Sequence, residues 1–123
     1  MLRIIAEQLR EIGVPYEFMR WTTSITDPYF VGEYTQVITS SEDGFEEYVF
    51  ILNGFTHGSY LSLEEMKDVI KERFPIAGGF RTMTQDGKAV VITYENCLQI
   101  DTEESDLKRI QIQLDVKTWE GGI

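Results

Sequence analysis

Residues 45–74, FEEYVFILNGFTHGSYLSLEEMKDVIKERF, contain the change of period on which the fold turns. Over 45–56, Tyr48, Phe50 and Leu52 share one face and Val49 and Ile51 the other, the period-2 pattern of a strand that is apolar on both sides. Such a strand belongs in the middle of a sheet or against a partner chain, because a strand with one wet face alternates more cleanly. From Leu63 the period becomes helical: Leu63, Met66, Val69, Ile70 and Phe74 form one stripe, and Pro75 ends it. Ser62, with Glu65 three residues on, has the spacing of a reciprocal cap, so the helix is expected to begin there. NGFTHGSY between the two reads as a strand end and a connection whose Gly54 and Gly58 permit sharp turns.

On the N-terminal side the partner of this strand is YFVGEYTQVITS (29–40), rich in aromatic and β-branched residues, with Asp43-Gly44 as the turn between them. Pro28 leads into it, the polar segment TTSITDP precedes it, and VPYEFMRW before that is compatible with a short strand. The chain opens on LRIIAEQLREIG, where Leu2, Ile5, Ala6, Leu9 and Ile12 make an amphipathic helix stopped by Gly13 and Pro15. On the C-terminal side a short strand over 79–84, a Gln-Asp-Gly-Lys turn and a long strand from Ala89 to Ile100 are expected. After the acidic turn DTEESD, the run LKRIQIQLDVKTW alternates throughout, with Ile110, Ile112, Leu114 and Val116 facing one way. The fold class is therefore α+β: a single domain, 1–123, in which a largely antiparallel sheet carries an N-terminal and a central helix on one face.

Length and charge narrow the function. A chain of 123 residues buries about two thirds of its unfolded surface, enough for one core without disulfide or metal. Twenty-one acidic against eleven basic residues leave a formal charge of −10, which removes the counterion-release drive for gripping nucleic acid. Such a surface can still line a passage that DNA slides through. With no long apolar run and no basic-then-apolar leader, neither a membrane span nor a secretory signal is expected.

The chain carries few residues suited to chemistry. His57 is the only imidazole and Cys97 the only thiol, so neither a Cys-based zinc site nor an internal disulfide can be built. Ser59 lies two residues from His57, without the strained elbow that presents a nucleophile. The acidic clusters around 42–47 and 101–106 lack the spacing of a calcium loop, and no phosphate-binding glycine fingerprint occurs. No catalytic residue, metal or cofactor is therefore assigned. What stands out instead is apolar surface: Tyr29, Phe30, Tyr34, Phe45, Tyr48, Phe50, Phe55 and Tyr60 crowd two strands and a connection, and two helices cannot cover both faces of the sheet. Self-association through the sheet follows, with closure of residues 22–28 over the second face as the alternative.

The order of these elements resembles the small tail terminator, or tail-completion, proteins of long-tailed bacteriophages. The likeness rests on the helix LRIIAEQLREIG, the Pro-led strand DPYFVGEYTQV, the strand, connection and helix EYVFILNGFTHGSYLSLEEMKDVIKERF, and the final strand LKRIQIQLDVKTW. The resemblance implies a structural subunit without turnover or cofactor, which assembles into a hexameric ring at the end of the tail tube for head-tail joining. Its partners would be further copies of itself, the tail tube and the head connector, with DNA passing and not specifically bound. Its place would be the virion, and the bacterial cytoplasm during assembly. The hairpin tip Ser41–Gly44, with Glu42 and Asp43, is then a candidate contact with tube or connector, and Phe55, His57 and Tyr60 a candidate interface between subunits. A second reading is a small acidic immunity or inhibitor protein that presents carboxylates to a basic partner.

Overall fold

A computed structural model describes residues 1–19, 27–38 and 44–119. The expected turn residues Glu42 and Asp43, and the segment 20–26, lie outside the described residues. In chain order the elements are α1 (Leu2–Glu11), β1 (Tyr16–Phe18), β2 (Tyr29–Ile38), β3 (Phe45–Thr56), α2 (Tyr60–Arg73), β4 (Phe80–Met83), β5 (Ala89–Ile100) and β6 (Lys108–Trp119). Among the described residues the strands form one sheet of order β1-β2-β3-β6-β5-β4. β3 and β6 pair antiparallel over their full length, from Phe45 opposite Trp119 to Thr56 opposite Lys108. The strand that is apolar on both faces thus sits inside the sheet, as its pattern requires. β1 alone is parallel to its neighbour, pairing with β2.

Both helices lie on one face, and the α+β architecture stands as expected. Ile110, Ile112, Leu114 and Val116 of β6 are buried together with Phe50 and Leu52 of β3 and Phe30 of β2. From above they receive Ile5 and Leu9 of α1, then Leu63 and Ile70 of α2 with Phe74 at its end. Each large apolar side chain so buried is worth roughly 1.5–3 kcal/mol before conformational entropy is set against it.

The end of α1 shows why the helix stops. Gly13 takes φ +84°, the left-handed conformation that glycine enters without strain. Its amide donates to Arg10 O, and the Val14 amide reaches Leu9 O at 2.9 Å. Buried Val14 accompanies buried Leu9, the apolar contact that goes with this type of helix end.

The start of α2 departs from expectation. The helix begins at Tyr60 with Ser59 as its N-cap, so Ser62 is already inside the first turn. The Ser62 hydroxyl donates to Ser59 O at 2.9 Å and makes no reciprocal cap with Glu65. The physical reason lies one step earlier. Thr56 Oγ1 accepts the Gly58 amide at 3.0 Å, which turns the chain at once after β3 and lets the helix start sooner than its apolar stripe does. Val69 also leaves the expected stripe, at 38% exposure, because it is one 100° step from buried Ile70. Gly54, read as a turn residue, is buried within β3, and only Gly58 belongs to the connection.

Arg73 at the end of α2 donates to Gln8 Oε1 and lies 3.3 Å from Glu11 Oε1, tying the two helices together. The Tyr94 amide donates to Phe74 O at 2.9 Å and fixes the helix end to β5. Within β5 the register shifts between Tyr94 and Asn96. This bulge resets the alternation, so that Cys97, opposite Ile112, falls on the helix-covered face.

Candidate functional site

The face of the sheet turned away from the helices collects the odd-numbered residues of β2, β3 and β6. Its first row is Tyr29, Phe55, Arg109 and Ile100, and its second is Val31, Asn53, Gln111 and Leu98. Tyr29 stacks on Phe55 with ring centroids 5.3 Å apart, and the Arg109 guanidinium lies 5.6 Å from the Phe55 ring centre. Arg109 Nη2 donates to Asn53 Oδ1 at 2.7 Å, which satisfies a side chain only 8% exposed. Arg109 Nε is buried and has no hydrogen-bond partner among the described residues. Leaving such a donor unmade costs about 1–3 kcal/mol, more for a charged group. Beside it opens a cleft of about 300 Å³ lined by Met19, Val31, Glu33, Asn53, Phe55 and Arg109.

Further along the same face Asp115 stands between Val49 and Thr93 on the neighbouring strands. Its carboxyl is pushed up from 3.8 to about 7, first by burial, then by a hydrogen bond to Glu47 and the Glu47 charge, with Glu95 adding to the effect. Lys117 opposes the shift, yet its ammonium lies 5.4 Å from the Phe45 ring centre. Two carboxyls within hydrogen-bond reach hold one proton between them. The folded chain keeps this proton and the unfolded chain releases it near 3.8, so the stabilisation is fully present below pH 3.8 and is lost as pH rises through about 7. Solvent screening of a partly exposed pair limits the loss to on the order of 1 kcal/mol. Asp115→Asn is therefore expected to lose less stability than the wild type between about pH 4 and pH 7, read from urea midpoints. Equal slopes in the two proteins would refute the shared proton.

The structure distributes the interface candidates. Phe55 lies on the open face, under Arg109. Tyr60, the first residue of α2, packs half-buried against the core on the helix side. His57 sits on the connection between them, with Nδ1 3.1 Å from Asp27 Oδ1 and its amide donating to the same oxygen at 3.2 Å. The partner Asp27 was not legible locally, since it lies 30 residues away at the start of β2. Ser59 is the N-cap of α2 by position, without a side-chain cap hydrogen bond, and the His57–Asp27 contact clasps the segment before β2 to the β3–α2 connection. Because the two side chains are 39% and 36% exposed, His57→Ala is expected to cost at most about 1 kcal/mol and to leave the fold intact. A thermal melt checks this, and loss of cooperative unfolding would contradict it.

Other polar groups are used internally. Burial, with Glu64 nearby, raises the Cys97 thiol above its ordinary range and keeps it protonated, which suits a half-buried strand residue. A larger cleft of about 480 Å³ lies between α1 and the turn after β4, but the Thr84 hydroxyl there is taken by Asp86. Among the described residues no three metal-ligating side chains converge, and no helix is long and apolar enough to cross a membrane.

No protein-family model and no curated protein matches the chain. Its fold is similar to that of a chain in a solved structure, the virion of a native gene transfer agent particle, with a TM-score of 0.67 over 95% of this chain and 87% of that one. The two are 13% identical, so the likeness is one of fold.

Proposed function

We propose that the chain is a structural subunit of a phage-like virion, and more specifically a tail terminator that closes the tail tube as a ring and joins it to the head. The observation that carries this reading is the fold shared over 95% of the chain with a component of a gene transfer agent virion. The element order of the sequence, read above as that of tail-completion proteins, supports it independently. The open sheet face supports assembly, because half-buried Val31, Val49, Ile51 and Phe55 stand there with no helix over them among the described residues. The formal charge of −10 suits a lumen through which DNA passes without being held. In this reading the subunit works by shape and contact, with no turnover, and its partners are its own copies, the tube and the connector.

The test is the mass in solution by light scattering on a sizing column, over a range of concentration and salt, followed by electron microscopy. A species of about six subunits with a central hole supports the terminator. A strict monomer at every concentration speaks against the ring and in favour of a small acidic inhibitor, whose basic partner would then be sought.

A further inference from the structure

Arg109 stands in an incomplete site. Its Nη2 is taken by Asn53 and its flat face lies by Phe55, but its buried Nε–H has no acceptor among the described residues. A guanidinium presents its donors as a rigid fork, which a carboxylate matches with two parallel hydrogen bonds. Arg109 lines the cleft of about 300 Å³ on the open face of the sheet. Glu33 lines the same cleft, yet no acceptor meets the Arg109 Nε–H among the described residues.

The same chain displays one in surplus. In the turn between β5 and β6, Asp101, Glu103, Glu104 and Asp106 are all exposed. The turn's own hydrogen bonds, from the Thr102 hydroxyl to Glu104 O and Leu107 O and from the Leu107 amide to Glu104 O, use none of these carboxylates, and the Glu104 charge reaches Tyr29 of the same copy. Within one copy this turn lies at the sheet end where Ile100 pairs with Arg109, and it leaves Nε unmatched. Against a chain of formal charge −10, a half-buried cation is the complementary feature a second copy can use.

We propose that the Arg109 cleft receives a carboxylate from the acidic 101–106 turn of a second copy of this chain, so that each site is completed by the neighbouring subunit. The contact is heterologous, turn into cleft, and such contacts close into rings when the rotation between copies permits. The proposal rests on the assembly reading above.

Its test follows the Nε–H resonance of Arg109, assigned by its loss in Arg109→Lys, as protein concentration is raised, with light scattering on the same samples. A parallel series keeps the protein dilute and adds sodium acetate, against sodium chloride at equal ionic strength. The resonance is expected to shift in step with mass. Arg109→Lys, and separately Glu103→Gln with Glu104→Gln, should weaken self-association roughly tenfold or more. Arg109→Glu combined with Glu103→Lys and Glu104→Lys in one chain should restore it, which a purely internal role for Arg109 would not allow. Assembly with an unmoved resonance and unaffected variants overturns the cleft contact and leaves the ring standing. A chain that is monomeric at every concentration overturns both, and a shift with acetate alone then assigns the cleft to a free carboxylate ligand.

Discussion

Gly54→Ala is expected to lower stability by about 3 kcal/mol, the upper part of the range for forcing extra volume into a packed core. Gly54 stands in β3 opposite Phe30 of β2 and Ile110 of β6. A Cβ there would meet the Phe30 ring at 2.3, 2.8 and 2.9 Å, distances at which something must move. Phe30 is fully buried, so the ring cannot swing out to solvent without opening the core. The glycine is therefore required by a neighbour's ring, and its φ does not fall in the left-handed region. In urea unfolding the midpoint should fall at unchanged slope, and in a melt the midpoint should drop by about 10 °C. Phe30→Leu, destabilising by itself, should recover part of the loss in the Gly54→Ala background, because the two changes share one space. Simple additivity, or a loss within experimental error, would show that the ring does not hold Gly54 to its size.

Phe50→Ala carries the other large effect, about 3–5 kcal/mol for removing a fully buried ring. Phe50 lies between Tyr34 of β2 and Leu114 of β6, and its ring tip covers Gly32, where an added Cβ would meet it at 2.7 Å. Tyr16 and Phe18 of β1 rest on it with ring centroids each 6.4 Å away. β1 pairs through only three residues, so these aromatic contacts help to hold the edge of the sheet. Two consequences should appear together: a large loss of global stability, and faster amide hydrogen exchange in β1 than in β6. Phe50→Leu keeps much of the volume and should cost far less. Uniform exchange across all strands would mean that β1 does not depend on this ring.

Much of the fold could be read from local pattern. β3 and β5 have the bounds that their residues suggested, and β6 differs by one residue at its start, because alternation over a dozen residues reports directly which side chains are buried. The four buried apolar residues of β6, Ile110, Ile112, Leu114 and Val116, are the ones its period named. Where the local signal was a single cap motif, as at Ser62, a competing turn hydrogen bond shifted the helix start. The site was legible only in outline. An uncovered apolar face follows from counting helices against strand faces, but Arg109 and Asn53 are 56 residues apart in the chain, and Asp115 meets Glu47 across two strands. Neither pair has a local signature.

The sequence alone determined where most strands and helices run, which of their faces would be apolar, and that the chain would be strongly acidic. These are properties of period and composition, each set within a turn or a strand. The tertiary structure alone decided that β6 lies between β3 and β5, that Gly54 must yield its space to Phe30, and that the buried Arg109 Nε donor finds no partner among the described residues. Period specifies the face a side chain takes; its neighbours depend on strand order and register, which arise from contacts between distant parts of the chain.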